Sequence, residues 1–110
     1  MCVLGLKYVL LPGMVALWMA ALVLNPARAS EQIALDHGCF NCHGTPPRGK
    51  APTFPQLAER YASSRGDAKA QEKLAGKLRD GSIFSHIDAH ERLSPELAAQ
   101  LIRWISEGAQ

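Results

Sequence analysis

Five consecutive residues, Cys39-Phe40-Asn41-Cys42-His43, constrain this 110-residue chain more than any other stretch. A C-x-x-C-H string is the attachment signature of c-type haem. Two intervening residues match the thiol separation to that of the two haem vinyl groups, and each thiol adds across one of them. The histidine directly after Cys42 is carried beneath the iron by that anchoring and serves as its proximal ligand. The ligand on the opposite face then decides how the iron behaves.

The address agrees with such a cofactor. Lys7 sits in a short basic leader, and an apolar run from Tyr8 to Leu24 follows, broken by Pro12 and Gly13. Asn25-Pro26-Ala27-Arg28-Ala29 then presents the small-x-small pattern that signal peptidase reads. Residues 1–29 are therefore expected to be a cleaved signal peptide, and residues 30–110 a single exported domain in the periplasm, free of the membrane once the leader is gone. The rival is an uncleaved anchor, but the apolar run is at the short end of the spanning range and its Pro-Gly pair weakens it as a helix. The formal net charge of +2 includes Lys7 and Arg28. Without them Lys and Arg balance Asp and Glu, which argues against nucleic acid as a partner. The expected mature domain keeps only Cys39 and Cys42 of the three cysteines, and haem attachment consumes both. A domain this small is short of core, and a covalently held macrocycle supplies apolar interior.

Along the domain the periodicity is helical throughout, and no alternating run is long enough for a strand. Ser30 is expected to cap a first helix to His37, with Ile33 and His37 on one face, Leu35 off it, and Gly38 as its stop. Residues 44–52 hold three prolines and two glycines and read as a stiff loop. A carbonyl there is well placed to accept Nδ1–H of His43, and Arg48 and Lys50 suit either haem propionates or plain solvent. Thr53 opens a helix with Phe54, Leu57, Ala58 and Tyr61 on one stripe. Asp67 caps another, burying Ala70, Leu74, Ala75 and Leu78, and Asp80-Gly81 stops it. Its outer lysines, Lys69, Lys73 and Lys77, read first as a solvated face and otherwise as a strip for an acidic redox partner. Ser94-Pro95-Glu96 starts the last helix, in which Leu97, Leu101, Trp104 and Ile105 share a face and Gly108 ends the run. The expectation is all-α: about four short helices around one haem.

These blocks resemble small bacterial class I cytochromes c, of the kind related to cytochrome c551. His37 to Gly44 is similar to that family's haem site. Ala51 to Ala62 is similar to its proline and following helix, Leu74 to Ser82 to its third helix and turn, and Leu93 to Leu97 with Trp104-Ile105 to its C-terminal helix. The resemblance implies the cytochrome c fold, haem c joined through Cys39 and Cys42, His43 as proximal ligand, and Pro52 as the residue whose carbonyl holds it. It implies electron transfer with a redox partner protein, as a free carrier or an oxidoreductase subunit, and not an enzyme in its own right.

One block departs from the family. Its sixth ligand is a methionine shortly before the last helix, whereas this chain reads Ser82-Ile83-Phe84-Ser85-His86-Ile87-Asp88-Ala89-His90-Glu91-Arg92-Leu93. The three methionines, Met1, Met14 and Met19, all lie in the leader. Three readings follow. His86 is the first candidate, lying beside the methionine's slot; His90 is the second; in the third the protein offers no distal ligand. A second imidazole leaves an electron carrier. An open face beside Ile87 and Phe84 instead makes a haem protein that binds NO, CO or O2, as a sensor or haem enzyme. Two non-haem readings are weaker. A zinc site from Cys39, Cys42, His86 and His90 needs too long a span and leaves His43 unexplained. A thioredoxin-type motif needs a βαβ context that is missing.

Overall fold

The computed structural model describes residues 25–80 and 86–110, and these form helices without strands. The apolar leader run, Gly81, Ile83 and Phe84 lie outside the described residues. In order come α1 (Pro26–Asp36), α2 (Phe40–His43), α3 (Phe54–Tyr61), a 3-10 turn (Ala62–Ser64), α4 (Ala68–Arg79), α5 (Asp88–Glu91) and α6 (Pro95–Ser106). The four longer helices are those expected from periodicity. The single turns α2 and α5 are additions, too short to show a repeating stripe.

The helix starts follow from capping chemistry. Thr53 and Gln56 form a reciprocal capping box, with Oγ1 of Thr53 accepting from the Gln56 amide at 3.3 Å and Oε1 of Gln56 accepting from the Thr53 amide at 2.9 Å. Asp67 accepts from the Ala70 amide at 3.0 Å, and Ser94 from that of Leu97 at 3.2 Å. Ser94→Ala should cost about 1 kcal/mol, read as a lower midpoint in a guanidinium melt.

The start of α1 corrects the expectation. Asn25, not Ser30, is the cap, its side chain accepting from the Ala27 amide at 3.1 Å, and Pro26 fills the first helical position. Ser30 is buried inside the helix, and its hydroxyl donates to the Pro26 carbonyl at 3.1 Å. Asn25-Pro26 is a helix-start signal that the same residues' resemblance to a cleavage site obscures. The expected cut between Ala29 and Ser30 falls within this helix.

Helix α6 is the hub against which α1, α3 and α4 all pack. Neighbours on three sides bury more of it than one stripe: Ala98, Leu101, Ile102, Trp104, Ile105 and Ser106 are covered, whereas Leu97 is half-exposed. Trp104 meets Phe54 of α3 edge-on at 5.1 Å between ring centres, and its indole N–H donates to the Gln110 carbonyl at 3.2 Å. Ala34 of α1 and Ala98 are fully buried, small residues that let helices approach closely. Two arginines tie the layers together: Nε of Arg65 donates to the Ser106 carbonyl at 3.2 Å, and Nε of Arg79 to the Leu93 carbonyl at 2.8 Å.

Candidate functional site

The motif is delivered by the way α1 ends. Gly38 adopts φ +70°, its amide donates to the Leu35 carbonyl at 3.0 Å, and the Cys39 amide donates to that of Ala34 at 2.9 Å. This pair of bonds is a Schellman closure, which wants glycine at the left-handed position. The chain therefore leaves α1 in a fixed direction and enters α2 at once. Cys39 and Cys42 are free thiols three residues apart on one helical turn, the first half-buried and the second exposed. Burial raises the pKa of Cys39 more than its backbone hydrogen bond lowers it, and Cys42 adds to the rise. Cys39 is thus held as a thiol rather than a thiolate.

His43 ends the same turn. Its Nδ1 lies 2.6 Å from the Pro52 carbonyl oxygen. A carbonyl only accepts, so Nδ1 must carry the proton, which leaves Nε2 with its lone pair free for a metal. The loop reaches this position because the Arg48 amide donates back to the Cys42 carbonyl at 2.9 Å and the Ala51 amide to that of Arg48 at 3.2 Å. Gly44 permits the tight exit from α2: a Cβ there would sit 2.7 Å from the Phe40 carbonyl oxygen. That role of Gly44 is not legible in the motif itself, because it depends on the backbone path out of α2.

An aromatic wall stands beside the imidazole. Phe54 lies 5.6 Å from His43 and 4.7 Å from Phe40 between ring centres, and Trp104 backs it. Facing His43 is the ring of His90, at 6.0 Å between centres with the planes 12° apart. His90 is half-buried on α5, and its pKa is lowered, first by burial and then by the nearby His43. Both causes favour the neutral imidazole, the form that binds metals.

His86 is placed differently. Its side chain is 64% exposed, and its Nδ1 pairs with Oε1 of Glu91 at 2.8 Å. Of the two distal candidates, His90 is the one that lies against His43. Counting residues to the missing methionine ignores the turn of α5, which brings His90 to His43 and leaves His86 held by a surface carboxylate. Among the described residues no three His, Cys, Asp or Glu side chains gather in a way that could hold a metal ion. Arg48 and Lys50 are exposed in the loop, Tyr61 is half-buried against the core, and Lys69, Lys73 and Lys77 lie on the exposed side of α4.

Two thiols and one imidazole with its tautomer fixed form a donor set that suits haem c, and the flanking phenylalanines give it an apolar wall. The sequence is 30% identical over 80 residues to "Cytochrome c-552" of Hydrogenobacter thermophilus, an alignment covering 70% of this chain and 79% of that protein. No family model matches the chain. No solved structure matches it either. No helix among the described residues is long and apolar enough to cross a membrane.

Proposed function

The chain belongs to the c-type cytochromes, and from that premise we propose that it is an exported mono-haem electron carrier, or the electron-transfer subunit of an oxidoreductase, of the small cytochrome c551-like type. The observation that carries the reading is the 2.6 Å contact between Nδ1 of His43 and the Pro52 carbonyl, on the same helical turn as two free thiols. Haem c, bound through Cys39 and Cys42, supplies a one-electron ferric/ferrous couple. The chain's own residues do the rest. Pro52 fixes the His43 ring and makes Nε2 a stronger donor. Phe40 and Phe54 keep water from that side, and a drier setting tunes the potential. Arg48 and Lys50 are at hand for propionate carboxylates. Export through residues 1–29 places the protein in the periplasm.

Intact mass and voltammetry of protein produced with a haem-attachment system test this together. The expected result is a chain beginning at Ser30, heavier by one haem, with a single reversible one-electron wave. Unmodified thiols or a zinc adduct would overturn the haem reading. Turnover of peroxide or nitrite without a partner would overturn the carrier reading.

A further inference from the structure

No methionine follows the haem-attachment motif, since all three methionines precede residue 20. We infer that His90 is the second axial ligand, so that His43 and His90 hold the iron between two imidazoles; this rests on the haem reading above. The argument is geometric. Two imidazoles that bind one first-row metal from opposite sides, each at about 2.0–2.1 Å, place their nitrogens about 4 Å apart and their ring centres roughly 6 Å apart. The centres of His43 and His90 are separated by 6.0 Å.

The support beneath His90 is specific. Its amide donates to the Ile87 carbonyl at 2.9 Å, opening the single turn α5. The Leu93 amide returns to the His90 carbonyl at 3.3 Å, and the Leu93 carbonyl is itself held by Arg79 of α4. Asp88 and Arg92 pair across the turn at 3.3 Å, and His86 with Glu91 at 2.8 Å. The last pair gives His86 a role: it braces the segment that carries the ligand and does not bind the iron. A bis-imidazole site keeps six ligands in both oxidation states, which suits electron transfer, and its potential lies below that of a histidine–methionine site.

The planes also make a spectroscopic statement. Rings only 12° apart act on the same iron π orbital and split the pair, which gives a resolved rhombic low-spin ferric signal. Perpendicular rings leave the pair nearly degenerate and give one strongly anisotropic feature.

Electron paramagnetic resonance and carbon monoxide binding of the purified holoprotein test the inference. Wild type should be rhombic low-spin when ferric and indifferent to carbon monoxide when ferrous. His90→Ala should lose the low-spin signal, bind carbon monoxide, and regain the signal with added imidazole, while His86→Ala stays low-spin. If His90→Ala does not mature, His90→Met should shift the potential upward. Haem-bearing wild type that is high-spin and binds carbon monoxide overturns the ligand assignment, as does a loss of low-spin signal in His86→Ala alone or a potential unmoved in His90→Met. A chain that carries no haem in the mass measurement fails at the earlier step instead, so the two failures are distinct.

Discussion

Trp104→Ala should remove about 3–5 kcal/mol of folding stability, the range for deleting a large buried aromatic side chain. Trp104 is 4% exposed in the last turn of α6, meets Phe54 edge-on, and donates its indole N–H to the Gln110 carbonyl. Truncation opens a cavity where α3 and α6 meet and leaves the Gln110 carbonyl without its donor. A domain near this size has on the order of 0.05–0.15 kcal/mol per residue in total, so the loss takes a large share. At about 4–8 °C per kcal/mol the midpoint of the holoprotein's thermal melt should fall by tens of degrees. Leu35→Ala, at a side chain 52% exposed, is the control and should move stability by about 0.5 kcal/mol or less. A Trp104→Ala protein that melts near wild type would mean that α6 is not the hub of the fold.

That Trp104 was legible in the sequence, and Ala34 was not, has a physical basis. An amphipathic stripe announces a large buried residue because periodicity alone places it. A fully buried alanine is indistinguishable from an exposed one until two helices are known to approach closely. The same limit applied to the site. The two thiols and His43 are adjacent in the chain, so their joint placement is local and readable. Pro52 came from the resemblance, and the structure gives its carbonyl a partner through a loop whose turns no spacing rule would supply. His86 and His90 are both visible as candidates in the sequence, but distance along the chain is all that ranks them there. A one-turn helix brings His90 to His43, and a four-residue helix has no period to detect. At the start of α1, Asn25-Pro26 is a helix-start signal that the small-x-small pattern directly after it hides in the sequence.

Cys39→Ala/Cys42→Ala should abolish covalent haem and, with it, most of the cooperative fold. Ten buried apolar side chains are found among the described residues, and three of them are alanine. Phe40, Tyr61, Leu74, Leu78 and Leu97 pack against this cluster but are only partly covered. Buried apolar area stabilises by about 25 cal/mol per Å², and a chain of this size has little to spare once conformational entropy is subtracted. A macrocycle fixed at Cys39 and Cys42 would add apolar area beside Phe40 and Phe54 and, with His90 as the inferred second ligand, would tie α2 to the α5 turn. Without the two thioether links neither contribution is held in place. Intact mass should show no haem, and the circular dichroism melt should be broad and shifted far below that of the holoprotein. Single replacements separate the two thiols. Cys42 is exposed, so Cys42→Ala should leave packing intact and haem joined by one bond, with a smaller loss of stability. Cys39 is half-buried against the core, so Cys39→Ala loses packing as well as a link and should be the costlier of the two. A double variant that still melts sharply within a few degrees of the holoprotein would show that the helices close on their own core, and that the cofactor contributes function without being needed for the fold.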